Sequence, residues 1–151
     1  ICYERFIMQI IQLDSHTFVG SQISLDDITE QNFRNINTII IARPEDEELD
    51  QPTFASIKLI GNGIGIKVYQ IPVISGQITE EDVQAFEALT NKEGGPVFIY
   101  CRSGHRATSL WALNKAKKGL LTEEILYIAK NAGYDLAALG PKIAANVSQR
   151  I

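Results

Sequence analysis

Val97-Phe98-Ile99-Tyr100-Cys101-Arg102-Ser103-Gly104-His105-Arg106 is the stretch that decides the fold. Four apolar residues make a short buried strand. The polar loop after it feeds directly into a helical stretch, Ala107 to about Lys117, which Gly119 ends. A loop between a strand and a helix points several backbone N–H groups at one spot, and the helix N-terminus adds about half a positive charge there. Arg102 and Arg106 add full charges, and a guanidinium presents a fork that matches tetrahedral oxyanions. Gly104 permits a backbone turn that other residues resist. Such surroundings favour the thiolate of a cysteine over its thiol. The expected result is a nucleophile, Cys101, inside an anion pocket.

The pattern on both sides says how this unit is mounted. Gln9 to Leu13 and Thr17 to Ser21 read as two short strands around Asp14-Ser15-His16, an opening hairpin. Ser24 is expected to cap a helix, with Asp27 in the capping-box position and Leu25, Ile28 and Phe33 inward. Thr38 to Ala42 is a continuous apolar run rich in β-branched residues, as a strand buried on both faces requires. A helix from Pro52 or Thr53 to Gly61 or Gly63 follows, then a strand from Ile66 to Ile71 stopped by Pro72. Thr79 and Asp82 mark the start of the next helix, and Thr122 caps one that Gly133 closes. Pro141 to about Ser148 is the last helix. Strands alternating with helices give an α/β fold with a mainly parallel central sheet flanked by helices. Ligands of such sheets bind beyond the carboxyl ends of the strands. Three segments should meet there: the acidic loop Arg43-Pro44-Glu45-Asp46-Glu47-Glu48, the loop Val73-Ile74-Ser75-Gly76, and the Cys101 loop.

The loop from Cys101 to Arg106 resembles the active-site loop of rhodanese sulfurtransferases, with six residues from Cys to Arg inclusive. Cysteine phosphatases have one more. The wider chain, from about Gln9 to Leu139, resembles the phosphatase-like domain of beta-lactamase-hydrolase-like proteins, a bacterial family with a tyrosine-phosphatase-like fold. The matching pieces are Gly20-Ser21-Gln22-Ile23, Thr38-Ile39-Ile40 leading to Arg43-Pro44-Glu45-Asp46-Glu47, Ile71-Pro72-Val73, Gly76-Gln77-Ile78-Thr79, and Tyr100-Cys101-Arg102-Ser103-Gly104 through Leu110-Trp111-Ala112-Leu113. The resemblance implies a tyrosine/dual-specificity-phosphatase-like domain over 8–151, preceded by an N-terminal extension over 1–7. It differs from the phosphatase pattern at three places. Tyr100 stands where tyrosine phosphatases have His before the nucleophile. The loop Val73 to Gly76 lacks their general-acid Asp. Ala107 replaces the hydroxyl residue after the Arg, with Thr108 one step further on.

Two chemistries suit one loop. As a phosphatase, Cys101 would attack phosphorus while Arg106 and loop amides hold the oxyanion. An acid would protonate the leaving group, a role that falls to Asp46, or to Glu45 or Glu47, if the acidic loop folds over the pocket. As a sulfurtransferase, Cys101 would carry a persulfide from thiosulfate or a thiol persulfide, and no acid is required. A non-catalytic oxyanion-binding module is the third reading, against which the retained thiol argues. In all three, Arg102, Ser103, Gly104, His105, Ala107 and Arg43 are the candidate substrate contacts. Trp111 reads as core, His16 as a turn residue, and Gly61-Asn62-Gly63-Ile64-Gly65 as a helix stop, because it follows a helix and precedes a strand.

Composition narrows the partners. The 151 residues are 45% hydrophobic and 21% charged, with a net charge of −4, which suits one globular domain and supplies no basic surface for nucleic acid. The apolar runs are too short to span a bilayer. Two cysteines, Cys2 and Cys101, make neither a disulfide framework nor a cysteine zinc site. The expected partner is a small oxyanion or phosphoester, with no cofactor or metal. A lone reactive thiol suits the cytoplasm.

Overall fold

The structure, a computed structural model, describes residues 8–148. The extension expected over 1–7, and Cys2 within it, lie outside the described residues. Among the described residues, five strands form one sheet: β1 (Ile11–Gln12), β2 (Thr17–Gly20), β3 (Thr38–Ile41), β4 (Lys67–Gln70) and β5 (Val97–Tyr100). Their order across the sheet is β1-β2-β5-β3-β4. Only the β1–β2 hairpin is antiparallel. β5 lies between β2 and β3, parallel to both, so it is the central strand.

Among the described residues, five helices cover the sheet: α1 (Phe54–Gly63), α2 (Glu80–Glu93), α3 (His105–Lys117), α4 (Thr122–Asn131) and α5 (Gly140–Ser148). Successive strand residues point to opposite faces, and both faces are buried. Val19, Ile40 and Ile99 join Phe86, Leu110 and Leu113 on one face, under α2 to α5. Ile39, Ile41, Phe98 and Tyr100 pack with Ile57 of α1 and with Ile23, Ile28 and Phe33 on the other. Burying β5 on both faces fixes its register. A slip of one residue would exchange its two sets of side chains.

Local sequence explains most element ends. Thr79 Oγ1 accepts from the Asp82 amide at 3.1 Å and the Asp82 carboxylate accepts from the Thr79 amide at 3.0 Å, the expected capping box of α2. α3 begins two residues before Ala107, because Gly104 takes a left-handed φ of 95° and turns the chain into a helix at once. Thr122 is the first residue of α4 rather than its cap, which is Leu121. The helix expected after Ser24 is a single 3-10 turn, Leu25–Asp27. Local side-chain bonds compete with it: Asn32 Nδ2 donates to the Asp27 carbonyl at 2.8 Å, and Thr29 Oγ1 accepts from the Asn32 amide at 3.1 Å.

Candidate active site

Cys101 is the first residue after β5 and is fully buried. Its sulfur accepts the Gly104 N–H at 3.1 Å, which folds the loop back over the strand end. Gly104 is fixed here by two constraints. Its φ is left-handed, and a Cβ would sit 2.1 Å from the Tyr134 hydroxyl. That hydroxyl donates to the Ser103 carbonyl at 3.3 Å, and Thr108 Oγ1 donates to the Gly104 carbonyl at 2.8 Å. Ser103 Oγ accepts from the His105 amide at 3.3 Å, so this hydroxyl serves the loop backbone. Among the described residues, the amides of Arg102, Ser103, Arg106 and Ala107 donate to no protein acceptor. They are the groups an anion above Cys101 would meet.

Arg106 sits in the first turn of α3 with a nearly buried side chain. Its Nη1 donates to Glu47 Oε2 and to the Val73 carbonyl, both at 2.8 Å, and its Nη2 to Glu47 Oε1 at 2.9 Å. Burial alone would weaken its charge. The Glu47 carboxylate and the charge of the Cys101 sulfur more than offset this, and its pKa moves up. Arg106 is therefore a fixed cation beside the sulfur. Fully buried Arg43 braces the same carboxylate. Its Nε donates to Glu47 Oε1 at 2.8 Å, its Nη1 to Gln22 Oε1 at 2.8 Å and its Nη2 to Glu48 Oε1 at 3.2 Å. Hydrogen bonds from Arg106, with support from Arg43, hold the Glu47 carboxyl below the usual carboxylate range.

The three expected segments do converge. A cavity of about 530 Å³ opens above the loop, lined by Arg43, Glu47, Glu48, Ser75, Arg102, Ser103, His105 and Arg106. Arg102 and His105 are exposed at its mouth, with Arg102 Nε 3.4 Å from Glu48. Ala107 is packed in the core, so it offers the cavity its backbone N–H and not its side chain. Arg43 is not free for substrate, because every nitrogen of its guanidinium is engaged within the protein.

The acidic loop divides its carboxylates. Glu45 accepts the Phe54 amide at 2.9 Å, at the start of α1. Asp46 has a left-handed φ of 60°, is exposed and does not line the cavity. The turn at Asp46 carries the next residue, Glu47, back onto the arginines. Gln22, Ser75 and Tyr134 also build the site, and none was singled out by spacing. Tyr134 arrives from the α4–α5 connection, and burial followed by the nearby Cys101 charge pushes its pKa up.

The mainly parallel sheet flanked by helices has the tyrosine-phosphatase-like fold. Tk-PTP shares the fold at 14% identity, with a TM-score of 0.73 over 94% of this chain and 97% of that one. Residues 10–118 match the family model described as beta-lactamase hydrolase-like protein, phosphatase-like domain, and the chain belongs to that family. A candidate phosphatase from Neisseria meningitidis is 34% identical, with a TM-score of 0.82 over 91% of this chain and 97% of that one. The beta-lactamase hydrolase-like protein of Agrobacterium fabrum is 31% identical over 132 residues, which are 87% of this chain and 31% of that protein. Its counterpart in Xylella fastidiosa is 30% identical over 130 residues, 85% of this chain and 30% of that protein. The chain thus spans about a third of the length of these relatives.

Proposed function

We propose that this domain is a cysteine-dependent phosphatase. Cys101 attacks the phosphorus of a monoester, and the S–P bond forms as the P–O bond to the alcohol breaks. The electron pair of that bond leaves on the oxygen, which takes a proton from solvent, and a phosphocysteine remains. Arg106 and the free loop amides hold the equatorial oxygens as charge shifts onto them. Water then opens the phosphocysteine and releases phosphate. The observation that supports this most is the double grip of Glu47 and the Val73 carbonyl on Arg106, at 2.8 and 2.9 Å. That grip aims a buried guanidinium at the ligand position before any ligand arrives, so little reorganisation is left for the reaction.

Glu47, held as a carboxylate by two guanidiniums, orients Arg106 and is a poor proton donor. It is one of the three residues, with Asp46 and Glu45, to which the sequence left the place over the pocket. Arg102, Ser103, Gly104, His105 and Ala107 contribute backbone or rim contacts to the substrate, and Arg43 acts through Glu47. The substrate is a small phosphoester, and the thiol nucleophile suits a reducing compartment such as the cytoplasm. Among the described residues no helix is long and apolar enough to cross a membrane.

One observation favours a second reading. Four residues separate Cys101 from Arg106, the rhodanese spacing, and sulfur transfer from thiosulfate needs no proton donor. The discriminating experiment offers wild type and Cys101→Ser both p-nitrophenyl phosphate and thiosulfate. Phosphate release that vanishes in the variant supports the phosphatase. Sulfite release with one added sulfur on Cys101, and no phosphate release, replaces it with the sulfurtransferase.

A further inference from the structure

Resting on the phosphatase reading, the geometry points to phosphoanhydrides as the substrate class: Cys101 takes the terminal phosphoryl group, and the departing phosphate lies between Arg102 and His105. The first support is the state of the acids. The two carboxylates lining the cavity are Glu47 and Glu48. Glu47 accepts from Arg43 and Arg106, and Glu48 accepts from Arg43 and faces Arg102. Both carboxylates are thus turned to guanidiniums, so neither is aimed to pass a proton to a leaving oxygen. An alkoxide leaving group needs that proton, and its absence costs about 100-fold or more. A phosphate leaving group does not, because it departs as a stable anion.

The second support is the rim. Arg102 is 70% exposed at its side chain and is tied to Glu48 by one contact of 3.4 Å, so it is free to turn to an incoming anion. His105 stands exposed beside it at the same mouth. A cavity of about 530 Å³ has room for two phosphates, one beside Arg106 and one at the rim by Arg102 and His105. A plain aryl or alkyl ester would leave the outer cation unused.

The step balances without a further reactant. The thiolate electron pair of Cys101 forms the S–P bond. The bond from that phosphorus to the bridging oxygen breaks, and its electron pair leaves on the oxygen of the departing phosphate. Water then forms a new O–P bond, the S–P bond breaks, the thiolate returns, and the proton of the water goes to solvent.

The test measures kcat/KM for inorganic pyrophosphate, p-nitrophenyl phosphate, phenyl phosphate and glycerol 3-phosphate with the intact domain. The expected result is pyrophosphate at least level with p-nitrophenyl phosphate, and glycerol 3-phosphate slower by about 100-fold or more. Arg102→Ala should lower the ratio of pyrophosphate to p-nitrophenyl phosphate rates about tenfold, the loss expected for a charge-assisted phosphate contact. If glycerol 3-phosphate is cleaved as fast as the aryl ester, an acid does serve the site. The phosphoanhydride assignment then falls while the phosphatase stands. Aryl phosphate cleavage with pyrophosphate untouched, or an unchanged ratio in Arg102→Ala, overturns the assignment in the same way. Inactivity on all four phosphates removes the phosphatase reading itself.

Discussion

The two ends of the parallel sheet each hold a carboxylate fixed by charged and polar donors, and they put that device to different use. At the amino-terminal end, Asp14 accepts from Trp111 Nε1 at 2.8 Å and pairs with Lys115 at 3.1 Å. At the carboxyl end, Glu47 joins Arg43 to Arg106 above Cys101. Asp14 pins the hairpin to α3, far from the reactive sulfur. Beside it is a cavity of about 200 Å³, lined in part by His16, Trp111, Asn114 and Lys115. Glu47 instead fixes the direction of a guanidinium that has to meet substrate. The same hydrogen-bond chemistry is structural at one end and sets the reactive geometry at the other. Substitutions at the two ends should therefore separate stability from rate.

The largest effect is expected at Glu47. Glu47→Ala leaves Arg43 with Glu48 but takes from the nearly buried Arg106 its carboxylate, and breaking such a pair costs about 3 kcal/mol. Chemical denaturation should show that loss. Glu47→Gln keeps the shape and part of the hydrogen bonding, and should lower kcat about 100-fold through misplacement of Arg106, with a smaller change in stability. A Glu47→Gln variant with full kcat would erase the difference between the two ends.

Gly104→Ala comes next. The added methyl meets Tyr134 Oη and the left-handed φ is strained, at about 1–2 kcal/mol for the backbone alone. Activity should fall with stability, and Tyr134→Phe, which keeps the ring, should not restore it.

Asp14→Ala at the opposite end should cost about 1–3 kcal/mol, the penalty for leaving the buried Trp111 N–H unpaired, with kcat/KM unchanged. Acid unfolding sharpens the contrast. Burial raises the Asp14 pKa, but bonds from Trp111, the His16 amide and Lys115 outweigh it, and the net shift is downward. A depressed carboxylate contributes stability that is complete above its unfolded pKa of about 4 and is lost as pH falls through the folded value. Wild type should thus lose stability below about pH 4, and Asp14→Asn should lose less of it over that window. The smallest effect is expected for Asp46→Asn, whose exposed side chain does not line the cavity: the pH–rate profile on p-nitrophenyl phosphate should be unaltered.

What the sequence made legible follows the same division. Cys101 to Arg106 is six continuous residues between a strand and a helix, so covalent geometry alone brings thiol, amides and guanidinium together. The continuous buried runs of β-branched and aromatic residues, Thr38 to Ile41 and Val97 to Tyr100, announce a parallel sheet and hence the edge where the site lies. Which carboxylate turns inward was not legible. It depends on one left-handed residue, Asp46, that shifts the inward position by one along a run of four acids. Tyr134 and Gln22 reach the loop from remote segments through packing that has no local signature. The missing helix after Ser24 shows the converse: spacing favoured a helix, and side-chain bonds from Thr29 and Asn32 favoured turns.

The central claim is that Cys101 becomes phosphorylated while Arg106, aimed by Glu47, holds the phosphoryl oxygens. Rapid acid quenching of the enzyme during turnover of p-nitrophenyl phosphate, followed by peptide mass spectrometry, tests it most directly. The account predicts a phosphoryl group on Cys101 in wild type, at much lower occupancy in Glu47→Gln and absent in Arg106→Ala. Turnover with an unmodified Cys101, or equal occupancy in all three proteins, would contradict it.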